Sequence, residues 1–191
     1  LRPLGEDSDE MLDVLPVRFS LESTPSDTLE QVRTKERTLV AVGAPSRALS
    51  KWKRIADLWC AHWFSPNRAA PPSAFGALSD VILTGGGALP AAAADRYLHE
   101  AEAVRVARHF FHWELEFPEA FFDSLGARLP AAGFDAVIGN PPWDMIRADT
   151  GPPDARSRAR GDVGSVLRFT RDAGVYSSQS VGHANRYQLF L

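Results

Sequence analysis

The chain has 191 residues, 45% of them hydrophobic and 24% charged, with a formal net charge of −3. That length and balance fit a globular piece of about one domain, exclude a disordered or fibrous chain, and argue against a general nucleic-acid-binding surface while leaving local basic patches open. One cysteine, Cys60, rules out an internal disulfide and fits a reducing, cytoplasmic location; no apolar run approaches the roughly 18 to 20 residues of a membrane span, and no signal peptide is visible.

Residues 1 to 27 are acidic and carry Pro and Ser, with Val14 to Leu21 as a short edge segment. Residues 28 to 64 read as helical. Ile55, Leu58, Trp59, His62 and Trp63 recur at i, i+3, i+4, i+7 and i+8, the stripe of a helix that buries one face. Cys60, set among Trp59, Ala61 and Trp63, reads as a small buried residue. Pro66, Pro71, Pro72 and Gly76 make 65 to 76 a loop. The run Val81-Ile82-Leu83 followed by Gly85, Gly86 and Gly87 imitates a dinucleotide-binding turn, but its spacing is wrong and Pro90 follows. A flexible linker is the better reading. Ala91 to about Phe110 is Ala-rich and helix-favouring, with Tyr97, Ala101, Val104 and Phe111 among its apolar positions. Trp113 to Phe117 alternates apolar and acidic and predicts a strand ended by Pro118. Glu119 to Leu129 predicts a short helix. Gly133-Phe134-Asp135-Ala136-Val137-Ile138-Gly139 predicts a short, fully buried strand of a parallel sheet. No internal repeat is evident.

Directly after that strand stands Asn140-Pro141-Pro142-Trp143. Two prolines fix φ near −65° and carry no N–H, so the corner is rigid. Asn140 offers an amide oxygen and two N–H donors, and Trp143 offers a large flat face. In α/β sheets, sites form beyond the carboxyl ends of strands, which is where this corner falls. A flat substrate suits it. The plainer reading is a Pro-Pro strand ending with Trp143 in the core.

Asn-Pro-Pro-aromatic after a buried strand resembles the catalytic motif of S-adenosylmethionine-dependent amino-methyltransferases, above all those acting on N6 of adenine in DNA. Two flanking stretches are similar to the large restriction-modification and phage-defence branch of that family. They are His112-Trp113-Glu114-Leu115-Glu116-Phe117-Pro118-Glu119-Ala120-Phe121, before the catalytic strand, and Gly182-His183-Ala184-Asn185-Arg186-Tyr187-Gln188-Leu189-Phe190-Leu191, at the start of the following helix. Arg54 to Phe64 resembles a helical insertion of the same branch. The resemblance implies an α/β fold: a partial Rossmann-like methyltransferase sheet with a helical insertion. It divides the chain into an N-terminal segment at 1–50, the insertion at 51–110 and a partial catalytic core at 111–191, with catalytic strand and loop at 134–143. It also implies that the Asn140 side-chain oxygen and the Pro141 carbonyl accept the two N–H bonds of the adenine amine. Those contacts would draw the amine nitrogen toward sp³ geometry and expose its lone pair. Pro142 would stiffen the turn, and Trp143 would stack on a base flipped out of duplex DNA. S-adenosyl-L-methionine is the implied cofactor and double-stranded DNA the implied partner. Trp143 is a less common aromatic at this position than Tyr or Phe and favours the large defence-type enzymes.

The family's cofactor loop, typically Asp/Asn-Pro-x-x-Gly-x-Gly, does not occur in this sequence. The chain opens on Leu1 and closes in an apolar pattern at Gln188-Leu189-Phe190-Leu191, so both ends read as cut from a larger enzyme. The alternatives are a catalytically inactive remnant, or an Asn-Pro-Pro-aromatic methyltransferase acting on protein glutamine or RNA. Three further groups stand out. Arg147, Arg156, Arg158, Arg160, Arg168 and Arg171 suit phosphate contact, although a solvated loop with Asp149, Asp154, Asp162 and Asp172 is the plainer reading. His109, His112 and Glu116 would share a face on a helix and bind a metal, but a strand at 113–117 would separate them. Glu114, Glu116, Glu119 and Asp123 include an acid–base pair in principle; a solvated or capping role is the simpler reading.

Overall fold

The computed structural model describes residues 15–42, 48–65, 69–143 and 152–174. In chain order these form α1 (Leu15–Ser23), α2 (Leu29–Val42), α3 (Ala48–Phe64), a 3₁₀ turn (Pro72–Ala74), α4 (Phe75–Thr84) and α5 (Ala91–Arg108). A single helical turn, α6 (Trp113–Glu116), a second 3₁₀ turn (Pro118–Ala120) and α7 (Pro153–Asp172) follow. Among the described residues there is no sheet; the only β pairing is an isolated antiparallel bridge between Phe122 and Arg128. The expected α/β, Rossmann-like sheet is therefore corrected: the described residues are mainly helical and form no sheet.

The local reasons are legible. Helix α2 starts in a reciprocal cap: the Gln31 amide donates to Thr28 Oγ1, while Gln31 Oε1 accepts from the Thr28 and Asp27 amides. Helix α5 begins with four alanines, carries a Glu102–Arg105 pair one turn apart, and has Arg105 and Arg108 in its last turn, opposite in sign to the helix dipole. It stops at His109, whose φ of 52° is left-handed. Helix α4 stops at Gly85, φ 82°, whose amide returns to the Val81 carbonyl.

Four local expectations change. The predicted edge segment at Val14–Leu21 lies largely within α1, and Val81–Leu83 belongs to α4 rather than to a linker. Trp113–Phe117 is a helical turn, not a strand: the Leu115 and Glu116 amides both reach the His112 carbonyl, and the Phe117 amide reaches Trp113. A strand would have put Trp113, Leu115 and Phe117 on one face. The turn instead buries Leu115 and leaves Trp113 and Phe117, four residues apart, stacked on each other at 6.1 Å. Glu119–Leu129 holds only the 3₁₀ turn and then a tight loop, in which Asp123 Oδ1 accepts from the Leu125 and Ala127 amides.

Close contacts group the described residues into two units, one drawn from 1–57, 77–88 and 109–136, the other from 58–76, 89–108 and 137–191. The first has a core of Leu15, Leu49, Leu115 and Phe122, with Phe19, Trp52, Ala56 and Phe121 packed against it. Burying each such side chain contributes about 1.5–3 kcal/mol. Arg18 ties α1 to the second 3₁₀ turn through both oxygens of Glu119, and also reaches the Glu116 carbonyl. Lys51 on α3 donates to the Leu83 carbonyl near the end of α4. In the second unit, Trp63 and Phe64 on α3 both meet Phe169 on α7 at 5.6 Å. Arg108 stacks over Phe64 and pairs with Asp162, and Arg168 donates to the Trp63 carbonyl.

Candidate functional site

The strand expected at 134–139 is an irregular segment with a bend at Asp135 and no backbone hydrogen bond among the described residues. A parallel strand needs partners on both edges and cover on both faces. Here Val137 is 75% and Ile138 97% exposed. Only Phe134 is engaged, edge to face with Trp113, Phe117 and Phe121 at 5.4 to 5.8 Å.

Asn140, Pro141, Pro142 and Trp143 follow without regular secondary structure. The core reading of Trp143 does not hold, because its side chain is 74% exposed. Its indole Nε1 donates to Asn140 Oδ1 at 3.3 Å. The amide oxygen and the aromatic ring, the two groups the motif needs together, are thus side by side. A carbonyl oxygen has two lone pairs, so this bond leaves Oδ1 a second acceptor position, and both N–H groups of the amide remain donors. Pro141 is half-buried and Pro142 exposed. The arrangement is an open, flat-faced corner with an acceptor at its rim.

The other groups resolve separately. His109, His112 and Glu116 do not converge. His109 is exposed in a left-handed conformation, His112 Nε2 lies 2.8 Å from Asp57 Oδ1, and Glu116 pairs with Lys53 at 2.6 Å. No group of three or more metal-ligating side chains occurs among the described residues. Of the carboxylates, Glu114 pairs with Arg128 and Glu119 with Arg18, each at 2.7 Å, and Asp123 caps its own loop. Each is spoken for structurally, which removes the basis for an acid–base pair. Arg156, Arg168 and Arg171 lie on α7, a 20-residue helix rather than a loop, and Arg168 is turned to the Trp63 carbonyl. Arg147 and the segment 182–191 lie outside the described residues. Cys60 is half-buried.

The glycine cluster does not supply a cradle for the implied cofactor. The one glycine cluster follows a helix rather than a strand, and Gly87 is pressed against the Ala77 carbonyl and the Val81 side chain, where a Cβ would sit 2.8 Å from each. That close packing serves the chain's own turn rather than a ligand cradle.

What sequence reasoning missed is the aromatic cluster of Phe111, Trp113, Phe117, Phe121 and Phe134, with Arg18 over the Phe117 ring at 5.8 Å. The density of aromatics in 110–121 was a signal for it. No helix among the described residues is long and apolar enough to cross a membrane. Comparison with protein-family models, curated proteins and solved structures finds no match to the chain.

Proposed function

We propose that Asn140, Pro141, Pro142 and Trp143 hold an adenine for methylation of its N6 amine, the base having left the duplex of a specific DNA site, as part of a restriction-modification or phage-defence enzyme. The observation that carries this reading is the pairing of an exposed Trp143 ring with Asn140 Oδ1 3.3 Å from its indole nitrogen. A base stacked on Trp143 gains about 1–3 kcal/mol. Its amine can then meet two acceptors, Asn140 Oδ1 and the Pro141 carbonyl, which raise the nucleophilicity of a nitrogen otherwise delocalised into the ring. The two prolines keep those acceptors in place, and orientation of this kind supplies much of a rate enhancement. The methyl donor is S-adenosyl-L-methionine in this reading, and its cradle is not among the described residues.

The test is methyl transfer by the natural product of the gene that carries these residues, read as N6-methyladenine in DNA. Asn140→Ala is expected to abolish methylation while leaving DNA affinity within about fivefold, because Trp143 still stacks. Wild-type turnover in that variant would overturn the role of Asn140. Methyl incorporation into protein glutamine or RNA, with none in DNA, would replace the substrate class. Binding of adenine-containing DNA with no methylation by the wild-type protein would favour the inactive alternative.

A further inference from the structure

The first unit holds an open cavity of about 520 Å³ lined by Ala56, His112, Trp113, Glu114, Phe121 and Phe134, among others. Its walls are aromatic. Phe134 meets Trp113 at 5.4 Å and Phe121 at 5.8 Å, both edge to face. Trp113 is 52% and Phe134 42% exposed, although both stand beside a closed core. Leaving large rings half-exposed at a concavity costs burial that the fold does not recover by itself, and such a concavity with a few polar groups is the usual form of a small-molecule site.

The polar groups narrow the ligand. His112 Nε2 is 2.8 Å from Asp57 Oδ1, and Asp57 is buried. A carboxylate accepts, so Nε2 carries the hydrogen and His112 donates to Asp57. His112 precedes α6 without capping it by a side-chain hydrogen bond. Glu114 gives Oε1 to Arg128 at 2.7 Å, which leaves Oε2 as a second acceptor. The nearby charges cancel in pairs: Glu114 with Arg128, Glu116 with Lys53, Glu119 with Arg18.

We infer that this cavity binds a planar amino-heterocycle of purine size. The ring stacks on Trp113, and an exocyclic N–H donates to Glu114 Oε2. The site shares no residue with Asn140–Trp143 and does not rest on the methylation reading.

The experiment is titration of the full chain with adenosine, inosine and indole, followed by calorimetry and ligand-observed NMR. Inosine lacks the exocyclic amine, and indole lacks paired donors. The expected result is saturable adenosine binding, tighter than inosine or indole. Trp113→Ala should weaken adenosine about tenfold or more, within the roughly 5- to 150-fold that base–ring stacking represents, while Trp113→Phe retains most of the affinity. Glu114→Gln should weaken adenosine and leave indole unchanged. Trp143→Ala should change nothing. The inference is overturned if the wild-type chain shows no saturable adenosine binding at millimolar concentration. It is equally overturned if Trp113→Ala, folded by circular dichroism, binds as the wild type does, or if adenosine, inosine and indole bind alike. Loss of adenosine binding in Trp143→Ala but not in Trp113→Ala would overturn it too, while supporting the role proposed for Trp143.

Discussion

At the scale of single residues, Arg18 carries several contacts at once. Its Nε and Nη2 reach both oxygens of Glu119 at 2.9 and 2.7 Å, Nη2 also reaches the Glu116 carbonyl at 2.6 Å, and the guanidinium lies over Phe117. Both partners are mostly shielded, at 14% and 18% side-chain exposure, so solvent screening is weak. Arg18→Ala leaves a largely buried carboxylate and carbonyl without their donor and is expected to cost about 2 kcal/mol, below the 3–5 kcal/mol of a fully buried pair. Urea denaturation reads this as a lowered midpoint with an unchanged slope. Glu119→Gln, which keeps an acceptor, should cost less. Equal midpoints for Arg18→Ala and wild type would show that this ion pair contributes nothing. The same scale marks the limit of the sequence at the candidate site. The identities at Asn140 and Trp143 suggested an acceptor and a flat face. Their mutual hydrogen bond was not readable, because nothing in a tetrapeptide says where a side chain rotates. Nor was the pairing of His112 with Asp57, 55 positions apart.

At the scale of elements, helices were legible where composition and period agreed over several turns. Residues 91–108 were readable from alanine content alone. In α3 the helix was correctly expected, but its buried face was only partly so: Ile55, Leu58 and Ala61 are inside, whereas Trp59 is exposed and meets Phe75 edge to face at 5.4 Å. A tryptophan can satisfy itself at the rim of a core, so its weight in a hydrophobic stripe misleads. Short elements were not legible. Five residues of alternating pattern at 113–117 fit a strand and one helical turn alike, and Pro118 ends either. The glycines after α4 give a sharp test at this scale. A Cβ on Gly86 meets nothing within 4 Å, whereas one on Gly87 would lie 2.8 Å from the Ala77 carbonyl and from Val81 Cγ2. Gly87→Ala must move backbone and is expected to destabilise by about 1–3 kcal/mol, with Gly86→Ala near neutral. Thermal unfolding of the two variants side by side would settle it, and equal melting temperatures would contradict the close approach.

At the scale of the whole molecule, the sequence pointed to a sheet that the described residues do not form. The reason lies in what a strand requires. Phe134, Val137 and Ile138 have the residue types of a buried strand, and local propensity is satisfied by any extended course. Helix hydrogen bonds close within the element, whereas a strand's bonds depend on neighbours, so a strand read from one run of residues is a statement about chain elsewhere. Amide hydrogen exchange tests the difference directly. No backbone hydrogen bond among the described residues engages the amides of 135–140, and Val137 and Ile138 are exposed. These amides are expected to exchange at close to unprotected rates, whereas those around Ile55 to Ala61 in α3, with buried side chains and helical bonds, should be slowed by orders of magnitude. Strong protection across 135–139 would mean that the run is paired as a strand, and the helical description would then fail at the segment that carries Asn140 and Trp143. Unprotected amides there would leave the corner as the solvent-facing element its exposure indicates, with the Trp143 ring within reach of an aromatic base.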